Sequence, residues 1–234
     1  MKSNISVILT QYKRPHLHKL QVEAIRSQSV KPAEIFCWVN SCNRSFIRVE
    51  GVSYILCEAN WKFHGRFALS MLCQTKYVAI FDDDIIPGPK WFESCLDYVE
   101  YGILGSSGIR LPRSGYRPHV KVGHNGTHST CLEKVNLVGH SWFSNKQFLR
   151  NIWREEPLSW DNGEDIQLAA LSQIHSGVGC YVPPHPENDT SVWGCLPEYR
   201  LLGDDRVATS KVDKSHYCLR SKLVEEYKKK GWKI

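Results

Sequence analysis

The chain has 234 residues, of which 42% are hydrophobic and 23% charged, with a formal net charge of +6. It is long enough for one sizeable core and short enough for a single domain, and no stretch approaches the ~20 apolar residues of a membrane span. The positive surplus suits a small anionic substrate or mild attraction to nucleic acid, but the basic residues gather into no stripe, so no nucleic-acid partner is expected.

The opening MKSNISVILTQYKRP has one basic residue, then a short β-branched run and no small-residue cleavage site, so no signal peptide is expected there. A cytoplasmic location is expected, and the sequons at Asn4, Asn43, Asn125 and Asn188 would then carry no glycan. ISVILT (5–10) reads as a strand and HLHKLQVEAIRSQS (16–29) as a helix, with Leu17, Leu20, Ala24 and Ile25 at helical spacing. EIFCWVN (34–40) and VSYILC (52–57) are strands, RFALSMLCQ (66–74) a helix and YVAIF (77–81) a fourth strand. This alternation is the rhythm of a parallel sheet covered on both faces. The nine cysteines show no CxxC pair, and Cys37, Cys57 and Cys180 sit in or beside apolar runs, so reduced, mostly buried thiols are expected.

After residue 88 the pattern loosens. KWFESCLDYVEYG reads as a helix, ILGSSGIRL as a strand and residues 112–130 as a long loop. KVNLVGHSWF returns to strand and NKQFLRNIW to helix. NGEDIQLAALSQIHSG predicts a helix from Asn162 or Gly163, and VGCYVPPHP a short strand. The terminal KLVEEYKKKGWKI reads as a solvated helix face.

The chemistry concentrates in four places. Asp82, Asp83 and Asp84 directly follow the apolar strand YVAIF, at the edge where open α/β sheets bind ligands. Their oxygens are hard ligands suited to Mg2+ or Mn2+; if the strand continued, Asp82 and Asp84 would share a face and Asp83 would oppose them. ILTQYKRP (8–15) supplies a hydroxyl, an amide, a ring and Arg14 for a nucleotide, without a GxGxxG or P-loop pattern. NWKFHGRF (60–67) offers Asn60, Lys62 and Arg66 to a diphosphate. WDNGEDIQLAA (160–170) places Asp161, Glu164 and Asp165 at a helix start, where the helix dipole favours them and where one of them can serve as general base; Trp160 suits a sugar ring. His185, in a proline-rich loop, and His216 are candidate metal ligands.

In this order the four motifs resemble those of GT-A glycosyltransferases, which transfer a sugar from a nucleotide diphosphate donor, and particularly the GT-2-like and exostosin-like enzymes that carry a DxD motif. VAIFDDDIIPGPKW stands as the DxD and WDNGEDIQL as the ED motif, and the likeness spans residues 5 to 175. It implies a single GT-A domain over 1–234, with a Rossmann-like, mainly parallel central sheet flanked by helices. Residues 1–90 would form the nucleotide-binding half and 91–234 a loop-rich acceptor-binding half. The resemblance implies a UDP-sugar donor, a carbohydrate acceptor and Mn2+ or Mg2+. Thr10, Gln11, Arg14, Asn60 and Arg66 would line the donor pocket. Asn40 stands where many members of the family have an Asp that reads the base. Asp82 and Asp83 would touch ribose or water. Asp84 would ligate the metal, with Asp82 and His185 as further ligands, and Glu164 or Asp165 would orient the acceptor or act as base. Trp142 and Trp160 are the aromatic candidates for the acceptor or sugar.

AIFDDDII also fits the first motif of haloacid-dehalogenase-like phosphatases, with LLGDDRV (201–207) imitating their late acidic motif. Against that reading, their motif ends the first strand, whereas at least three strands precede it here, and the usual following Thr is absent. A nucleotide-sugar pyrophosphorylase lacks its Gly-rich loop, and a lectin-like or Ca2+-binding module needs fewer charged strand ends.

Overall fold

A computed structural model describes residues 4–42, 45–123, 127–206, 208–213 and 215–234, so Asn43 and Asn125 lie outside the described residues. The first half follows the anticipated alternation: strand β1 (Ile5–Gln11), helix α1 (His18–Arg26), β2 (Glu34–Asn40), β3 (Ser53–Cys57), α2 (Gly65–Ser70) and β4 (Tyr77–Phe81). Then come α3 (Trp91–Tyr98), β5 (Gly102–Arg110), β6 (Val120–Val122), β7 (Glu133–Val135), β8 (Leu137–Asn145), α4 (Lys146–Leu149), α5 (Glu164–Ser176), β9 (Gly179–Val182), α6 (Thr209–Val212) and α7 (His216–Lys229).

The described strands form one nine-stranded mixed sheet in the order β3-β2-β1-β4-β8-β5-β9-β7, with β6 paired to β5. β1 to β4 run parallel, β5 and β9 share their direction, and β6, β7 and β8 run against it. The chain winds from β1 out to β3 and returns to add β4 on the other side of β1. That reversal opens a crevice at the carboxyl ends of β1 and β4.

Successive strand side chains face opposite sides, so each buried strand feeds two cores. On β4, Val78 and Ile80 join Phe67, Trp142 and Ile166 on one face, while Ala79 and Phe81 join Val22, Trp91, Phe92 and Phe143 on the other. This explains why YVAIF is apolar throughout. Three findings differ from the sequence reading. The stretch 112–130, expected to be all loop, contains β6. KVNLVGHSWF is split into β7 and β8, which occupy different places in the sheet. The last helix is not merely solvated: Leu223, Val224 and Tyr227 of α7 are buried in the core. Gly163 permits this contact, because it holds a left-handed φ of 94° and a Cβ there would strike Leu223.

Two buried glutamines, Gln21 on α1 and Gln28 just past its end, fix the segment beyond β4. Gln21 Nε2 donates to the Asp82 carbonyl at 2.7 Å and the Ile85 carbonyl at 3.0 Å. Gln28 donates to the Gly88 carbonyl at 2.7 Å and accepts from the Phe92 N–H at 3.0 Å. Buried backbone groups left unpaired cost about 1–3 kcal/mol each. Gln28→Leu strands the Phe92 N–H, while the Gly88 carbonyl keeps the Trp91 N–H at 3.1 Å, and is therefore expected to lower the unfolding free energy by about 1–3 kcal/mol. Urea unfolding should show this as a lower midpoint at unchanged slope; an unchanged midpoint would mean that the clamp contributes nothing.

Candidate active site

The crevice is a cleft of about 510 Å³, walled by the ends of β1, β2 and β4, the turn before α2 and the start of α7. Strand β4 stops at Phe81, and the aspartates lie in the turn beyond it, where the Ile85 N–H closes on the Asp82 carbonyl at 3.3 Å. The alternation expected of a continuing strand is therefore lost. Asp83 and Asp84 converge on one arginine, and Asp82 turns to another.

Arg14 Nη1 lies 2.8 Å from Asp83 and 3.3 Å from Asp84. Its Nε and Nη2 donate to the two oxygens of Asp205 at 2.8 and 2.9 Å. These Asp205 bonds, ahead of the charges of Asp83 and Asp84, hold the guanidinium firmly protonated. Arg66 is buried with its guanidinium 4.6 Å over the Trp142 ring. It donates to Asp82 and, through Nη2, to Glu164 at 3.0 Å. Two cations thus stand among five carboxylates. Burial, then the charges of Asp82 and Asp83, pushes Asp84 up to about 7. Burial, then Asp165, does the same to Glu164, also to about 7.

The anticipated site residues divide into those that face the cleft and those that support it. Thr10, Arg14, Asn40, Asn60, Arg66, Asp82 and Asp83 line it. Asn40 is saturated internally: Nδ2 donates to Asn60 Oδ1 at 2.9 Å and the Lys62 carbonyl at 2.8 Å, and Oδ1 accepts the Trp61 N–H at 2.9 Å. It shapes the 60–62 turn and has little left for a base. Gln11 is buried and exchanges hydrogen bonds with the Ile47 backbone at 2.8 and 2.9 Å, so it anchors a loop and does not line the cleft. Trp142 is 1% exposed and serves as the floor beneath Arg66, out of reach of a sugar. Trp160 is 43% exposed and meets Trp61, itself 48% exposed, edge to face at 6.0 Å beside the cleft.

Asp165 is drawn away by Arg220 at 2.6 Å, and Glu164 is held by Arg66, so neither carboxylate stands free as a base. His185 is not brought to the aspartates. It is buried, with Nδ1 2.9 Å from the Pro183 carbonyl and Nε2 bonded to the Thr127 carbonyl, and it pins the loop carrying Ser129. His216 Nδ1 lies 2.7 Å from Asn162 Nδ2, on the network that also holds Arg220.

Sequence reasoning missed Asp205 on Arg14, because 191 positions separate them and LLGDDRV was legible only as a phosphatase-like run. It also passed over Asp213, which lines the cleft beside Asp161. Asp161 is the more accessible anticipated acid, its side chain 75% exposed and 3.4 Å from Lys62 Nζ.

For a metal, the telling atom is Asp84 Oδ1, which is buried and has no hydrogen-bond partner. Among the described residues no group of three His, Cys, Asp or Glu side chains forms a ready-made cage. A lone hard oxygen beside two further carboxylates fits Mg2+ or Mn2+, ions that keep waters and complete their shell on substrate phosphates. A scan against protein-family models and a search of curated proteins both returned no match to this chain.

The raised carboxyls have a consequence for stability. Glu164 has an ordinary value of 4.5 and a folded value of about 7, so its contribution is complete below pH 4.5 and is lost as pH rises through 7. Unfolding free energy should fall across that window by about 3 kcal/mol, with Asp84 adding in the same sense. Glu164→Gln is expected to remove its share of the slope; parallel pH profiles for the two proteins would contradict the assignment.

Proposed function

We propose that the protein is a metal-dependent glycosyltransferase of the GT-A type that moves a sugar from a nucleotide diphosphate donor, with UDP-sugars favoured, to a hydroxyl of a glycan or other acceptor. The observation that carries this reading is the meeting of Arg14, Arg66 and the three aspartates at the crevice where the strand order reverses. Breaking a sugar–phosphate bond leaves a nucleoside diphosphate of growing negative charge, and preorganised cations are what lower that barrier. The Asp82–Asp84 turn would hold a divalent cation, mainly through Asp84, and that ion would supply charge neutralisation to the leaving diphosphate.

The base and ribose fit the part of the cleft formed by Thr10, Tyr12 and Asn60. Arg14 is the guanidinium within reach of the diphosphate, once it exchanges Asp205 for phosphate oxygens. That exchange is close to even in geometry, because phosphate and carboxylate accept the same forked donor. Arg66, buried between Asp82 and Glu164, fixes the aspartate turn from below. Asp161 and Asp213 stand at the cleft without a buried guanidinium partner and are the carboxylates suited to accept the acceptor proton. Trp160 and Trp61 offer apolar ring faces beside them for a pyranose.

The phosphatase reading draws on Asp204 and Asp205 folding back towards Asp83 and Asp84. Arg14 is interposed there, and Asp82 is bonded to Arg66 rather than presented as a nucleophile. No helix among the described residues is long and apolar enough to cross a membrane.

Slow hydrolysis of a UDP-sugar that requires Mn2+ or Mg2+ is the expected activity in a donor panel; a panel with neither binding nor metal-dependent hydrolysis overturns the proposal. Asp82→Asn separates the two enzymes. It should leave a transferase partly active, whereas a phosphoaspartate enzyme would lose all activity. Asp205→Asn, which weakens the internal competitor for Arg14, should tighten UDP binding by about tenfold, the equivalent of about 1.4 kcal/mol.

A further inference from the structure

A second chamber of about 320 Å³ opens on the far side of the aspartate turn, walled by Asp84, Ser106, Ser107, Lys121, His140 and Arg200. Arg200 is its unusual member. Among the described residues four arginines are not solvent-exposed: Arg14, Arg66, Arg200 and Arg220. Arg14 has Asp83, Asp84 and Asp205, Arg66 has Asp82 and Glu164, and Arg220 has Asp165. Arg200 forms no ion pair among the described residues, and its Nε and Nη1 are buried without any hydrogen-bond partner. Burying a cation without an anion is unfavourable unless something else compensates it.

The guanidinium is nonetheless held in place. It lies 4.9 Å over the Trp193 ring, and Nη2 donates to the Gly123 carbonyl at 3.3 Å. The sheet is also irregular at this chamber. β5 carries a register shift between Gly105 and Ser107, and His140 of β8 holds a left-handed φ of 66°. Bulges and left-handed residues of this kind re-aim side chains beside ligand sites. Of the chamber's acids, Asp204 pairs with Lys211 at 2.6 Å, and Asp84 turns Oδ2 to Arg14 at 3.3 Å, leaving only its Oδ1 without a partner. His140 Nδ1 faces Asp82 at 3.8 Å. Arg200 is therefore the chamber's cation that no acid among the described residues pairs, and Lys121 at the wall adds positive charge.

We infer that this chamber is a subsite for an oxyanion, a carboxylate or phosphate group carried by the transferred sugar or by the acceptor. The identity of those substrates rests on the transferase reading; the anion site itself rests on Arg200. Nε and Nη1 supply the unused donors, Ser106 and Ser107 add hydroxyls, and Trp193 keeps the guanidinium from turning away. The substrate class is then an acidic sugar or a phosphorylated acceptor, with its charged group on the side of Asp84 away from the nucleotide cleft.

Thermal melting of the whole chain tests this, using inorganic phosphate against chloride at matched ionic strength. The wild type should gain several degrees with phosphate. Arg200→Gln should show no such gain and, without phosphate, should melt at or above the wild type because a half-buried, unpaired charge is gone. Arg200→Lys should keep part of the gain. Two further arms locate the group. A preference for UDP-glucuronate over UDP-glucose that is lost in Arg200→Gln places it on the donor. A preference for methyl glucuronide over methyl glucoside, measured with UDP present and lost in the same variant, places it on the acceptor. The inference is overturned by a phosphate gain that persists in Arg200→Gln, by no gain in the wild type, or by a variant that melts well below it. Should neither variant fold, the wild-type preference for either acidic sugar decides. UDP binding measured in parallel keeps the readings apart: its retention alongside a failed anion test sinks only the subsite, and its absence sinks the transferase.

Discussion

Three consecutive carboxylates at the end of a buried strand repel one another, and the site depends on how that repulsion is met. Two guanidinium groups meet it from opposite sides. Arg14 reaches across from the end of β1 to Asp83 and Asp84, and Arg66 rises from α2 to Asp82. Neither arginine is spent on the aspartates alone. Arg14 also ties down Asp205 from the C-terminal third of the chain, and Arg66 ties down Glu164 at the start of α5. The same contacts that neutralise the turn therefore join the two halves of the molecule around it. Removing either cation would leave buried carboxylates uncompensated, the expensive way to break an ion pair.

The fold places those charges by elementary rules. A parallel run of β1 to β4 whose order reverses at β1 leaves one crevice, and the aspartates emerge beside it because β4 ends there. Gln21 and Gln28 then hold the turn and the next helix from below, pairing the Asp82, Ile85 and Gly88 carbonyls and the Phe92 N–H, so the acidic segment is anchored to α1. Asn40 does the same for the turn that carries Trp61 and Lys62. The polar residues flanking the cleft thus fall into two sets: amides that saturate backbone groups and charges that remain available to a ligand.

Much of the first half was legible in the sequence. β-branched runs marked β1 to β4, two of them (34–40 and 77–81) to the residue, because a buried parallel strand is apolar on both faces and ends where polarity returns. That Arg14, Arg66 and the aspartates would gather at one candidate site was legible for the same reason: each sits close to the end of an apolar element. What was not legible was direction. Nothing in WDNGED says that Glu164 turns to Arg66 while Asp165 turns to Arg220, and nothing in HSWF says that Trp142 is a floor and not a platform. Gln11 and His185 failed as ligands because nearby backbone groups claimed their polar atoms first. Asp205 and Arg200 were hidden by sequence distance, since their roles exist only once the chain returns over β1 and β5.

On the proposed function, Arg14 and the aspartate turn together make a metal-dependent nucleoside diphosphate site. The direct measurement is calorimetric titration of UDP into the protein with Mn2+ and, separately, with the cation chelated. The account predicts one saturable site that needs the cation, is abolished by Asp84→Asn and is weakened at least tenfold by Arg14→Ala, about 1.4 kcal/mol or more. Binding of equal strength in chelator, or binding unaltered in Asp84→Asn, would contradict it.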